Sequence, residues 1–309
     1  MTESKKVIIG SRGSRLAVLQ AKFVLNKLEQ AYPDIEFSLS RITTTGDHNP
    51  ETPLERMGEE GVFVKELEQA LLRNQIDIAV HSLKDMPTDM APALVLAAVP
   101  QREDARDVLI TASGRSLAEL APGSSIGTGS ARRAVELLSQ RPDLDVRTLR
   151  GNVDTRLRKI TSGELDGAIM AAAALIRLGW QERVTEYLSV EQFLPAVGQG
   201  ALGIETKADD SYIIKLVSKL DHQPSHAGIL AERAFLKALG GGCRAPIAAL
   251  GVVSGNSLEL KGMVAGVNSR HFLRGQDKGT ISSAEEIGQR LAHSLLEKGA
   301  TKLIAEAKA

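Results

Sequence analysis

The sequence predicts an α/β fold with largely parallel sheets and a separate, smaller α+β region at the C-terminal end. Two observations carry this. Strand-like runs alternate with segments of helical spacing from about residue 5 to about residue 220. Past residue 222 the order changes to one helix, two strand-like runs and a last helix. The chain has 309 residues, 43% of them hydrophobic, which is enough for more than one core.

Residues 5–10, "KKVIIG", read as a buried strand. Leu16, Leu19, Phe23, Val24 and Leu28 then recur at helical spacing, with Ser14 placed to cap that helix. Residues 35–42 alternate like a strand, 63–74 are helical, and 76–82 form a strand. The pattern resumes beyond Pro100 as three strand–helix pairs: 124–127 with 130–140, 145–150 with 152–160, and 167–171 with 173–179. The last region has a helix at 225–239, strands in "IAALGVV" and "SLELKGMVAG", and a helix over about 284–299. Residues 44–61 are polar and aperiodic, with two prolines and three glycines. A stretch of this length inside a compact domain is expected to be a lid, the alternative being a passive loop.

Lysine plus arginine and aspartate plus glutamate both number 38, so the formal net charge is zero. That argues against a general binder of nucleic acid or membrane surfaces. One cysteine cannot form an intramolecular disulfide, which fits a reducing compartment. The N-terminal apolar run is too short for a signal peptide, and no stretch approaches the roughly 20 apolar residues of a membrane span. A soluble cytoplasmic protein is expected. His222 and His226 are four apart without an apparent third ligand, and no metal site is expected.

Ligands of open α/β sheets bind beyond the carboxyl ends of the strands, against helix N-termini. The residues there are Ser11, Arg12 and Ser14; His81, Ser82, Lys84 and Asp85; Thr128, Ser130, Arg132 and Arg133; and Arg150 and Asn152, with Arg156 a turn later. Cations and hydroxyls recur at one topological position. Arginine forks suit carboxylates, so the pattern points to a ligand with several anionic groups. Ordinary surface arginines are the other reading, but a cation at a helix start opposes the helix dipole. Asp85, close to these cations, is suited to stabilise a cationic intermediate or relay a proton, or else to cap a local turn. Cys243 lies in "LGGGCRAPI". Glycines often end helices and a lone cysteine is often a small buried hydrophobe; equally, glycines let a bulky group approach the backbone, and the thiol is able to carry an adduct.

Taken together, "GSRGSRLAVLQA", "GVFVKELEQALL", "AVHSLKDMPT", "REDARDVL", "GTGSARRAVEL", "LRGNVDTRL", "LPAVGQGALGIE" and "AERAFLKALGGGCRAPI" resemble the porphobilinogen deaminase (hydroxymethylbilane synthase) family, in its order and over nearly the whole chain. The resemblance implies two periplasmic-binding-protein-like lobes with a third, smaller α+β domain. The lobes would be residues 1–100 plus 200–220 and residues 101–199, and the third domain residues 221–309. It implies a transferase that joins porphobilinogen molecules head to tail with release of ammonia, on one dipyrromethane primer held by a thioether to Cys243. Asp85 would be catalytic. Ser82, Lys84, Thr128, Ser130, Arg132, Arg133, Arg150 and Asn152 would hold the cofactor, and Arg12, Ser14, Arg150, Arg156, Arg177 and Gln199 the substrate. Loss of ammonia would leave an electron-poor azafulvene, whose charge a fixed carboxylate stabilises. The family is usually monomeric; neither nucleic acid nor membrane is expected as a partner. Ser11, Arg15, Gly129 and Ala131 depart from the family's usual residues, and only a hydroxyl contact at position 129 is put in doubt. The competing readings are a two-lobed anion-binding solute or sensor protein without catalysis, which leaves Cys243 unexplained, and an inactive relative, against which Asp85 and Cys243 weigh.

Overall fold

The computed structural model of the protein describes residues 6–42, 64–240, 245–267 and 271–307. The expected lid at 44–61 and Cys243 lie outside the described residues. Two compact units emerge: residues 1–103 with 201–226, and 104–200 with 227–309.

The chain starts in the first unit with β1 (Lys6–Arg12), α1 (Arg15–Ala31), β2 (Glu36–Ile42), α2 (Lys65–Leu72), β3 (Ile78–Ser82), a 3₁₀ turn at Leu83–Asp85 and β4 (Leu94–Ala98). The second unit then adds β5 (Asp107–Thr111), β6 (Ser125–Thr128), α3 (Ala131–Gln140), β7 (Asp145–Thr148), α4 (Val153–Thr161), β8 (Gly167–Ala171), α5 (Ala172–Leu178) and the short β9 (Glu186–Tyr187). The chain returns to the first unit as β10 (Leu202–Lys207) and α6 (Ser211–Val217).

Each unit has a five-stranded sheet, in the orders β2-β1-β3-β10-β4 and β7-β6-β8-β5-β9. The two orders correspond strand for strand. β1 runs parallel to β2 and β3, and β6 parallel to β7 and β8. The expectation of largely parallel sheets needs correcting to mixed sheets. β10 is antiparallel to both its neighbours, as is β5 to β8 and β9. β5 and β10 are each the first strand after the chain passes from one unit to the other. They therefore enter from the carboxyl edge of their sheets, bringing their first residues to the edge where ligands are expected.

Helix α1 buries Ala17, Ala21, Val24 and Leu28, a stripe at helical spacing against the first sheet. Phe23, expected on that stripe, is exposed, and Lys27 lies over its ring. Gln20 takes an inward place instead, because it has a polar partner there.

The C-terminal elements are α7 (Gln223–Leu239), β11 (Ile247–Ser254), β12 (Ser257–Ala265), β13 (Phe272–Thr280), α8 (Ala284–Glu297) and α9 (Ala300–Glu306). The three strands form an antiparallel sheet in sequence order. β13 and α9 were not read from the sequence. β13, "FLRGQDKGT", is an edge strand whose residues alternate between half-buried and exposed, so it lacks an apolar pattern. The expected third domain packs within the second unit: Val135 and Leu194 share a core cluster with Ala248, Met263 and Ala265. Ala249 N–H donates to Pro195 O at 3.2 Å. Among the described residues no helix is long and apolar enough to cross a membrane.

Candidate active site

In the first unit, β1 and β3 end at the same sheet edge, since they are parallel. Their ends deliver Arg12 and the Ser82–Asp85 stretch side by side. An open pocket lies there, lined by Arg12, Ser14, Gln20, His81, Ser82 and Asp85 among others. Ser14 caps α1 by accepting from Ala17 N–H at 3.3 Å. A serine oxygen that accepts in this way keeps its O–H to donate. Ser82 Oγ is hydrogen-bonded to the Gln20 side chain at 3.0–3.1 Å, which ties α1 to the end of β3. Asp85 and Lys84 follow on the 3₁₀ turn, half-buried.

Behind this edge His81 Nε2 meets Glu205 Oε2 at 2.9 Å, with side chains 3% and 0% exposed. The pair arises from the sheet: β3 and β10 are antiparallel, and His81 and Glu205 lie diagonally on one face. Glu68 of α2 has its carboxyl pushed up by burial and by the charge of Glu205, against the opposing pull of His81 and Lys65.

In the second unit the carboxyl ends of β6, β7 and β8 likewise share an edge. Thr128 Oγ1 accepts from Ser130 N–H at 3.2 Å, and Ser130 caps α3. Asn152 caps α4, accepting from Thr155 N–H at 2.9 Å and keeping its NH₂ as a donor. Arg150 and Arg156 sit half-buried at this edge, and Arg156 Nε donates to Gly151 O at 2.9 Å. Arg177 donates to Gly200 O at 2.7 Å.

Arg132, Arg133 and Gln199, expected among the ligand-binding residues, are all buried. Arg132 donates to Asp107 Oδ2 and Glu136 Oε2, both at 2.8 Å, and to Leu194 O at 2.7 Å. Arg133 donates to Asp107 Oδ1 at 2.6 Å and to Gln199 Oε1 at 3.1 Å. Gln199 Nε2 in turn donates to Asp107 Oδ1 at 2.8 Å. The reason is Asp107. Because β5 runs antiparallel, Asp107 faces Ala171 at the end of β8, at the ligand edge and fully buried. Two cations at the start of α3 oppose its dipole, and this carboxylate offsets them. Burial alone would raise the Asp107 carboxyl; Arg132 and Arg133 outweigh it and hold the group well below the usual carboxylate range. Burial pushes Glu136 up to about 7, helped by the Asp107 charge and opposed by Arg132, Leu194 N–H and Arg274.

Asp107, Glu136 and Glu205 were not singled out from the sequence, and His81 was placed at the ligand edge without its partner. One local signal existed for Glu136, its i+4 spacing from Arg132; Asp107 was hidden as the acid before an apolar run, and the Glu205 partnership depends on strand pairing. His222 and His226 are bonded to Ser225 and Asp221, at 2.9 and 2.7 Å. Among the described residues no group of three or more His, Cys, Asp and Glu side chains is arranged to hold a metal ion.

Each unit thus has a sheet whose carboxyl edge carries arginines and capped helix starts, and in the first unit Asp85 lies at that edge. Comparisons with known proteins identify the group. Residues 7–215 match the family model "Porphobilinogen deaminase, dipyromethane cofactor binding domain", and 227–297 match "Porphobilinogen deaminase, C-terminal domain". The porphobilinogen deaminase of Desulforudis audaxviator is 46% identical, covering 99% of both chains. That of Thermus thermophilus is 44% identical over 97% of this chain and 98% of its own. Among solved structures, the effector-binding domain of a BenM variant has a TM-score of 0.42 at 14% identity, over 70% of this chain and 92% of that one. The chain belongs to the porphobilinogen deaminase family. Its fold is α/β, two five-stranded mixed sheets with their helices and a smaller C-terminal α+β region. Its activity is that of a hydroxymethylbilane synthase, a transferase that joins four porphobilinogen molecules head to tail with release of ammonia on a dipyrromethane cofactor.

Proposed function

We propose that the pocket beside Asp85 is where deamination occurs and that the donors at each sheet edge bind carboxylates. The observation that carries this reading is the meeting of Asp85 with Arg12, Ser14 and Ser82 around one pocket. The donor chemistry of the described residues fits a dipyrromethane group, whose acetates and propionates need hydrogen-bond donors and cations. Lys84, Ser82, Ser130, Arg150 and Asn152 would hold it, and Cys243 would anchor it through a thioether. The group, when bound, supplies the pyrrole on which the product chain is built.

Arg12, Ser14, Arg156 and Arg177 bind and orient porphobilinogen through its carboxylates. Thr128, Arg132 and Arg133 belong with the cofactor's ligands and Gln199 with the substrate's, and the Asp107 network fixes them at the start of α3 and in the Gly198–Gly200 segment. Asp85 presents a negative charge where positive charge grows as ammonia departs, an interaction stronger in the transition state than before it. The three-domain division 1–100 plus 200–220, 101–199 and 221–309 belongs to the same proposal, with the third domain presenting Cys243. The protein acts as a cytoplasmic monomer, without nucleic-acid or membrane partners.

Intact-protein mass tests the anchor. Enzyme purified from cells that make porphobilinogen should exceed its sequence mass by one dipyrromethane, and Cys243→Ser should fold, lack that addition and be nearly inactive. A Cys243→Ser protein with unchanged mass excess and activity refutes the anchor.

A further inference from the structure

We propose that His81 is a second functional group of this pocket, a general base whose tautomer is set by Glu205. The inference rests on the reading of the pocket as the deamination site and deepens it. His81 lines the pocket together with Asp85, yet its Nε2 is committed inward to Glu205 at 2.9 Å. With a carboxylate accepting at Nε2, the neutral ring carries its proton there and keeps Nδ1 as the remaining acceptor. A buried acid that orients an imidazole in this way is a recurring means of preparing a base.

The surroundings favour that use. Glu205 is fully buried, and its Oε1 has no hydrogen-bond partner among the described residues. An unmet buried acceptor costs on the order of 1–3 kcal/mol, a cost that calls for a functional reason. Glu205 on β10 bonds the ring and Glu68 on α2 interacts with it electrostatically, Lys65 acts on Glu68, and Arg12 and Asp85 line the same pocket.

The chemistry balances without any further reagent. Porphobilinogen enters with its amine protonated. The C–N bond breaks and its electron pair leaves with ammonia. The bound cofactor would supply the receiving pyrrole, whose π electrons would form the new carbon–carbon bond and whose ring C–H would give up the proton as its electron pair restores the ring. The proton passes to His81 Nδ1 and on to ammonia, which leaves as ammonium and returns the imidazole to neutrality. Asp85 stabilises the charge; His81 carries the proton.

Two measurements test this. ¹⁵N NMR of histidine-labelled protein, with and without the cofactor, should show His81 as the Nε2–H tautomer at high pH; the Nδ1–H tautomer would overturn the proposal. Single-turnover ammonia release by primer-loaded His81→Asn should fall about 100-fold, a typical general-base contribution, with KM little changed and the acid limb of the pH profile lost. Glu205→Gln, which keeps an acceptor but removes the charge, should lose less. Wild-type release or a retained acid limb in His81→Asn would overturn the role. If His81→Asn fails to fold, His81→Gln and the wild-type NMR decide. Asp85→Asn separates the two claims: it should slow release while keeping the acid limb, and a fully active Asp85→Asn enzyme would instead refute the assignment of the pocket.

Discussion

At position 129 a side chain has no room. A Cβ built on Gly129 would stand 2.7 Å from Leu149 O, because the ends of β6 and β7 run side by side there, Leu149 N–H donating to Thr128 O at 3.1 Å. Gly129→Ser should lose about 1–3 kcal/mol through overpacking, read as a lower urea midpoint. Asp85 is a residue-scale case of the opposite kind, in which shape is kept and charge removed. Asp85→Asn on enzyme with verified cofactor should bind porphobilinogen but slow ammonia release by at least about 100-fold, the scale of one lost electrostatic stabiliser. Asp85→Glu should retain more, since it displaces the charge without removing it. Equal rates for Asn and Glu would reduce Asp85 to a turn-capping residue.

The start of α3 shows how an element is held by charge. Asp107 from β5 gathers Arg132, Arg133 and Gln199, and Glu136 binds Arg132 one turn on while accepting Leu194 N–H at 2.8 Å. The Arg132 contact at 2.8 Å favours ionised Glu136, but removal from water outweighs it. A carboxyl raised in the folded state from 4.5 to about 7 binds its proton more tightly there than in the unfolded chain. Its stabilising contribution is therefore full below pH 4.5 and is lost as pH rises through about 7. Asp107, held low, works the other way and loses its contribution only on acidification. Glu136→Gln should make urea stability fall less between pH 5 and 8, by on the order of 3 kcal/mol at about 1.36 kcal/mol per pH unit. A variant whose pH dependence parallels wild type would show that Glu136 stays ionised throughout. None of this was legible from the helix alone: "SARRAVELLSQ" reads as two arginines at a helix start, and their acid lies 25 and 26 residues away on another strand.

Across the whole molecule, the second unit joins the C-terminal sheet to the second lobe. Met263 of β12 is fully buried in a cluster with Val135 and Leu194. Met263→Ala should cost about 2–5 kcal/mol. Hydrogen exchange should then rise together in β6, α3 and β12. A rise confined to β11–β13 would mean that the C-terminal domain opens independently of the lobe.

The sequence by itself determined the local features of this protein. Ser14, Ser130 and Asn152 were legible as helix starts, because a cap acts within three residues of itself. The strand–helix alternation set the α/β class, because periodicity is a property of short windows. Asp85 and the arginine edges followed from where strands end, and the ordered motifs pointed to the family. Only the tertiary structure decided the partners of the buried groups among them. Arg132 and Arg133 answer to Asp107, and His81 answers to Glu205 across 124 residues, through the antiparallel entry of β5 and β10. Strand direction and partner choice depend on how the whole chain packs, and no local pattern in either strand encodes them.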